Sequence, residues 1–371
     1  MATINSGTGL VTTGDNTGTL DFQGGGVTAF SVNVNGMYVK SVSNGQMNAL
    51  TGVNGMIVYN TSLAKFCVYV NGAWVQMTST DARTAKRAIF GYGSTGSNVS
   101  TSNLVSTTGV VAADTAGVGT ARSGLAASGY GNTGQAIFGY GTTGTRVSLT
   151  NLVSNAGVVA TDTAGVGTAR SGLAASGYGG DKAIFGYGTD GVSPFSTTNL
   201  ISNAGVVATD TAGVGTARQV LAAATYGVDK AIFGYGFTSS NVSLTNLVSN
   251  TGVVATDTTG VGTARNALAA ASYGTGQAIF GYGATNAITN LSLTNLVSSV
   301  GVVATDTTGV GTARQGLAAA GYGIGLAIFG YGYVSSALSM SNLVANTGVV
   351  AADVTGVGTA RYLLAASTYG T

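Results

Sequence analysis

The sequence predicts an all-β fold, and three observations carry that prediction. The hexapeptide Ala-Ile-Phe-Gly-Tyr-Gly occurs six times without variation, beginning at Ala88, Ala136, Ala183, Ala231, Ala278 and Ala327. A second block, Gly-Val-Gly-Thr-Ala-Arg, ends at Arg122, Arg170, Arg218, Arg265, Arg314 and Arg361, so the arginines step by 48, 48, 47, 49 and 47 residues. Between these markers the apolar text comes in short runs bounded by glycine. A fixed period of this length signals an array of supersecondary units, and short apolar runs between turn residues read as strands.

The first 80 residues lack the repeat and read as a separate N-terminal β domain. Residues 1–26 are rich in Gly, Thr, Asn and Asp, with turn signals at Gly14-Asp15-Asn16 and Gly24-Gly25-Gly26. Thr19–Gln23 alternates like a strand between them. Phe30–Val34 and Met37–Val39 flank Asn35-Gly36, a dipeptide favoured at two-residue hairpin turns. Gly55–Asn60, Lys65–Val70 and Ala73–Met77, with a turn at Asn71-Gly72, read as a three-stranded meander. The single cysteine, Cys67, falls in an alternating pattern as a small half-buried hydrophobe, and one cysteine gives neither a disulfide nor a thiolate metal cluster. So thin a core needs support, which points to attachment or oligomerisation as the role of residues 1–80.

From residue 81 onward each unit contains an Ala-rich run, the hexapeptide, a variable loop, a Thr-Asn-Leu-Val-type run and a Gly-Val-Val-Ala-type run. The Ala-rich run, Leu268–Ala271 in one unit, has helical propensity but spans a single turn and is closed by Tyr273-Gly274, so a strand is expected. Four strands per period, six times over, is the arithmetic of a six-bladed β-propeller. The first hexapeptide, at 88–93, has no Ala-rich run before it, whereas Arg361 is followed by Tyr362–Gly370. A ring closed by pairing the C-terminal strand (361–370) with the first blade (87–93) requires that offset, and closure removes exposed sheet edges.

Two resemblances follow from these residues. Gly55–Thr61, Lys65-Phe66 and Tyr69–Trp74 resemble a segment frequent in bacteriophage tail-fibre and other virion-attached proteins, found also in bacterial surface proteins. The repeat resembles the kelch repeat, with Gly-Tyr-Gly in place of its double glycine and no tryptophan before the closing turn. Over residues 82–371 it is similar to arrays of the same hexapeptide encoded by large tailed phages, notably those of marine cyanobacteria. The resemblance implies a non-enzymatic virion structural protein, a fibre or surface appendage assembled in the host cytoplasm. Residues 1–80 would contact other virion proteins, and the chain would be a homo-oligomer presenting its propeller to a host-surface glycan or protein. The alternative is a bacterial extracellular adhesin or filament protein of the same fold.

Composition narrows the chemistry. Only 7% of the 371 residues are charged, against about 25% in ordinary domains, and the net charge is +2. Nucleic acid is therefore not an expected partner. Mean hydropathy is +0.35, yet no run approaches the roughly 18–20 apolar residues that span a bilayer, so no membrane insertion is expected. The opening Met1–Gly7 carries no signal-peptide pattern. Histidine and glutamate are absent, which removes the usual bases, most metal-ligand sets and a Ser-His-Asp triad; no enzyme, cofactor or metal is expected. Asp181, Asp190 and Asp229 sit in turns, where Asp is ordinary.

Two kinds of candidate remain. Each unit carries one Asp and one Arg at constant spacing: Asp162 with Arg170, Asp210 with Arg218, Asp257 with Arg265, and likewise 114/122, 306/314 and 353/361. These could ring a channel that binds an ion or sugar, but their identity in every unit favours arginines that fix turns through carbonyls or the Asp. Twelve of the seventeen tyrosines also recur once per unit at two positions and read as packing between blades. Variation marks recognition better. The loops after the hexapeptide differ between units, and their aromatics Phe195, Phe237 and Tyr333 are the candidate contact residues on one rim.

Overall fold

The computed structural model describes residues 85–286 and 289–370, and before them 11–14, 20–24, 27–33, 36–39, 41–52, 56–62, 65–70 and 72–76. The expected turns at Gly14–Asn16, Gly24–Gly26, Asn35-Gly36 and Asn71-Gly72 lie wholly or partly outside these residues, as does Met77. The chain divides into two compact units, Met1–Ala82 and Arg83–Thr371.

In the first unit, Val11–Gly14, Leu20–Gly24, Val27–Asn33 and Gly36–Val39 form an antiparallel sheet in chain order, with a register shift between Phe22 and Gln23. Val11–Gly14 falls in a stretch whose composition suggested only turns. The expected three-stranded meander is a four-stranded sheet instead. Ser41–Val42 pairs in parallel with Ile57–Asn60, which continues antiparallel to Lys65–Val70 and Ala73–Gln76. The short helix Asn44–Asn48 makes the parallel crossover. Ser43 caps it, accepting from the Gln46 N–H while the Gln46 side chain accepts from the Ser43 N–H. Val42, Met47, Val58 and Cys67 form the core here, so Cys67 is fully rather than half buried.

The second unit is six three-stranded antiparallel sheets, with the hexapeptide in the middle strand of each. One sheet is Ala126–Tyr130, Gln135–Gly139 and Thr150–Val153, with Phe138 opposite Ala127 and Asn151. The sheets centred on Lys182–Gly186, Lys230–Gly234, Gln277–Gly281 and Leu326–Tyr333 repeat this pattern. The remaining sheet joins the two ends of the unit: Arg87–Gly91 pairs on one side with Ser102–Val105 and on the other with Ala365–Tyr369. Ala88 faces Thr368, in the register of the other five sheets. The Ala-rich runs are strands, as their length and bounding glycines predict.

The expected fourth strand is a correction. Gly-Val-Val-Ala-Ala-Asp-Thr at 109–115 forms no ladder with the third strand, meeting it through isolated bridges, Val105 to Val111 and Ser102 to Thr115, and through Asn103, whose side chain donates to the Ala112 carbonyl and to Asp114. Asp114, between those bridges, accepts both from Asn103 of its own sheet and from Thr359 of the neighbouring one. The exposed Val110 finds no cover on the outer side.

Successive sheets pack through their first strands, and the contact from Ala318–Tyr322 passes to Ala365–Tyr369 and on to Ala126–Tyr130. Among the described residues no single sheet closes into a barrel. The core is six equivalent clusters, each shared by two sheets. In one, Ile137 and Tyr140 meet Ala183, Phe185 and Ile201. Burying an Ile or Phe so fully stabilises by roughly 1.5–3 kcal/mol.

Candidate functional site

The hexapeptide explains itself once two sheets are placed together. Ala88, Ile89 and Phe90 are wholly buried. A Cβ on Gly91 would sit 2.6 Å from the Phe138 ring of the next sheet, so only glycine admits that phenylalanine. Tyr92 adopts φ +62°, a left-handed conformation that costs a non-glycine residue about 1–2 kcal/mol. Its neighbours hold it there. The ring meets Phe138 edge-on at 5.2 Å, and the hydroxyl donates to the Val118 carbonyl at 3.0 Å. Gly93 follows at φ +106°, with Leu364 and the Tyr362 carbonyl too close for a side chain. The tyrosines thus pack between sheets.

The arginine sits under this tyrosine. Arg122 has no exposed surface, and its guanidinium lies 4.4 Å from the Tyr92 ring centroid. Its Nε donates to the Tyr140 carbonyl at 2.8 Å, Nη1 to the Thr120 carbonyl at 3.0 Å and Nη2 to Asn151 Oδ1 at 2.6 Å. Asn151 in turn donates to Asp162 and to the Ala160 carbonyl, and Asp162 accepts from both the N–H and the hydroxyl of Thr120. Gly119, at φ +73°, leaves the space that Asp162 and Asn151 occupy. Tyr92, Val118, Gly119, Thr120 and Arg122 of the repeated blocks therefore each meet a fixed partner.

This geometry corrects the pairing read from sequence. The arginine pairs with the aspartate of the following unit: Arg122 with Asp162 at 3.7 Å, Arg170 with Asp210 at 3.8 Å and Arg218 with Asp257 at 3.8 Å. Arg265 pairs with Asp306, and Arg361 completes the circuit on Asp114. The charges staple adjacent sheets. Partial burial raises the Asp162 pKa, but hydrogen bonds from Thr120 and Asn151 and the Arg122 charge outweigh it and hold the carboxyl below its usual range. Burial pushes the Tyr92, Tyr235 and Tyr331 phenols up to about 12, against the lowering effect of the arginine on each. The asparagine of each Thr/Ser-Asn-Leu-Val/Ile run, wholly buried in all six units, is the member that sequence reasoning missed. Its signal was an invariant polar residue inside an apolar strand.

Just beyond each arginine the six sheets converge on a mouth. A circuit of backbone hydrogen bonds runs round it: Gly124 N–H to Leu363 O, Gly172 to Gly124, Val220 to Gly172, Ala267 to Val220, Gly316 to Ala267 and Leu363 to Gly316, at 2.6–3.0 Å. A second circuit at the opposite ends of the strands includes Gly131 to Asp181, Gly179 to Asp229 and Gly370 to Gly134. All six residues of the first circuit have positive φ. Glycine fills this need at 124, 172 and 316, but Val220 (φ +55°), Ala267 (+51°) and Leu363 (+52°) do not have glycine's freedom. The central depression they line, with the leucines that follow them, has a volume of about 60 Å³.

The predicted contact residues fall at two different positions. Phe237 and Tyr333 directly follow the hexapeptide and bridge to Gln219 and Gln315, the residues after the arginines of their sheets. Phe195 lies further along its loop, its N–H donating to the Gly188 carbonyl and its carbonyl accepting from Arg218. All three are half-buried, and the structure does not bring them into one cluster. It pairs Tyr333 with Tyr362 instead, ring centroids 4.9 Å apart and inclined at 50°. Asp190 accepts from the N–H groups of Val192 and Ser193 in its own turn, and Asp181 pairs with Lys182. Among the described residues no three His, Cys, Asp or Glu side chains gather to hold a metal, and no helix is long and apolar enough to cross a membrane. No protein-family model matches the chain, and no curated protein matches it.

Proposed function

We propose that residues 83–371 form a six-bladed, kelch-like β-propeller and that the chain is a non-enzymatic structural protein of a tailed-phage virion. On this reading the N-terminal domain attaches the chain to other virion proteins, and the propeller presents its loop-bearing mouth to a host-surface glycan or protein. The single observation that carries the ring is the sheet shared by the two ends of the unit, Arg87–Gly91 with Ala365–Tyr369. The non-enzymatic part is supported by the absence of histidine and glutamate. It is supported too by six aspartates already engaged by threonine and asparagine. The virion part rests on the resemblance of residues 55–74 and of the repeat array to phage-encoded segments. Many copies on one particle would turn weak single contacts into avid ones.

Two measurements test this. Class averages of the purified chain by electron microscopy should show a ring of six lobes; an open rod would contradict the propeller. Tailed particles purified from an infected culture should contain the chain by mass spectrometry and bind antibody against it. Recovery only from the envelope of uninfected cells would contradict the virion assignment.

A further inference from the structure

The repetition that is unbroken at the arginine junctions is broken at the mouth, and on one side only. The residue after each arginine is Ser123, Ser171, Gln219, Asn266, Gln315 or Tyr362 in turn. Its bridge partner after the hexapeptide is Thr142, Thr189, Phe237, Ala284, Tyr333 or Ser94. One arc of the mouth is therefore short hydroxyl side chains, and the other carries the carboxamides and aromatic rings, with Ala284 and Ser94 as the small partners of Asn266 and Tyr362. We propose that this second arc, from Gln219 to Tyr362, is a binding site for a neutral oligosaccharide. The proposal rests on the reading of the mouth as the presented surface and names its ligand class.

The chemistry of the arc selects that class. Tyr333 and Tyr362 form a tilted aromatic pair, half-buried at its edge. Aromatic faces take the apolar C–H face of a sugar ring. Among the described residues the Gln219 and Gln315 carboxamides and the Tyr333 and Tyr362 hydroxyls have no hydrogen-bond partner in the protein. They are held in place by their backbones: Gln315 and Tyr333 exchange N–H to carbonyl bonds at 3.1 and 2.8 Å, and Gln219 and Phe237 do so at 3.0 and 2.8 Å. A carboxamide offers a donor and an acceptor together, which suits adjacent sugar hydroxyls. Asn266 is not free in this way; it donates to Asn241 at 2.8 Å, and Asn241 donates to the Thr285 carbonyl at 2.8 Å, which fixes the middle of the arc.

Other ligand classes fit less well. None of the named side chains of the arc carries a charge, while the repeat arginines beneath it are wholly buried and already paired. The loop residues that do ionise, Arg146 and Asp190, belong to the hydroxyl side. Along this arc a nucleic acid or anionic glycan would meet no cationic side chain among those named. The depression of about 60 Å³ is far below the 300 Å³ or more of a small-molecule pocket, so the ligand lies across the surface as a chain.

The test is a printed panel of neutral hexose and pentose oligosaccharides beside sialylated and uronic-acid oligosaccharides, probed with the full-length chain. We expect a neutral oligosaccharide to bind. Its titration by calorimetry should weaken about tenfold on Tyr362→Ala or Gln315→Ala, and much less on Tyr362→Phe, which keeps the ring. Ser123→Ala and Ser171→Ala, on the opposite arc, should leave binding unchanged. Circular dichroism of each variant shows that loss of binding is not loss of fold. Binding to no neutral oligosaccharide, binding only to anionic ones, or affinity indifferent to Tyr362 and Gln315 would overturn the proposal. Absence of the chain from phage particles would defeat the virion assignment while leaving this affinity to be measured.

Discussion

The arginine junction and the mouth lie one residue apart in every unit, and they obey opposite rules. At the junction Arg, Tyr, Asn, Asp and Thr recur six times, and in five of the six the arginine Nε, Nη1 and Nη2 all find acceptors, Arg361 Nε being the exception among them. At the mouth the next residue is Ser, Ser, Gln, Asn, Gln or Tyr. The difference teaches what repetition is for in this chain. A buried guanidinium tolerates no substitution among its partners, because each change leaves an unpaired polar group out of water. A side chain that faces outward from a backbone bridge can change freely. Identity marks what holds the sheets together, and variation marks what they offer.

The widest way to break the junctions is to titrate them all. The six aspartates have pKa values below the free value of about 3.9. Their contribution to stability is complete above that value and is lost as pH falls through the lowered folded values. Far-UV circular dichroism should therefore be constant from neutral pH to about 5 and collapse below about 4. The raised tyrosines give the mirror image. Their contribution is complete below about pH 10, the unfolded value, and is lost as pH rises toward about 12. Tyrosinate absorbance should appear together with unfolding there.

Single substitutions follow in decreasing order. Arg218→Ala leaves Asn246, the Tyr235 carbonyl and Asp257 without their partner and should cost about 3–5 kcal/mol in denaturant unfolding. Arg218→Lys should recover little, since one ammonium cannot reproduce the fork. Gly139→Ala drives a methyl into the Phe185 ring and should cost about 1–3 kcal/mol. Gly172→Ala brings a methyl to 3.3 Å from the Val220 nitrogen and takes it into φ +62°, and should cost about 1–2 kcal/mol. At the mouth, Tyr362→Ala should cost about 1 kcal/mol through the lost ring pair, and Gln315→Ala no more than about 0.5 kcal/mol. A large loss there would erase the contrast between the two regions.

Much of this was legible in the text. The period, the strand character of the Ala-rich runs and the missing first strand supplied by Tyr362–Gly370 follow from repetition, which averages away local ambiguity. The pairing of Arg122 was not legible. Asp114 lies eight residues before it in sequence, whereas its partner Asp162 comes from the next unit, and only the stacking of sheets chooses between them. The fourth strand misled because Val110-Val111-Ala112 has strand composition, while the cover a strand needs is missing on its outer side. Helix Asn44–Asn48 was signalled by Ser43 and Gln46 alone, too little to stand out. Tyr362 could have been found. The residue after each arginine varies as much as the loops do, but its place beside Tyr333 depends on the meeting of two sheets.

The claim beneath the rest is that the C-terminal strand closes the ring on the first. Ala88→Cys with Thr368→Cys, in a Cys67→Ser background, places two thiols at directly opposed positions of that shared sheet. Antiparallel partners lie within disulfide reach. Mild oxidation of the folded monomer should link them in high yield, seen as one disulfide-joined peptide by mass spectrometry and as a reduction-sensitive rise in unfolding temperature. Intramolecular linkage no greater than in the unfolded chain would contradict the closed ring.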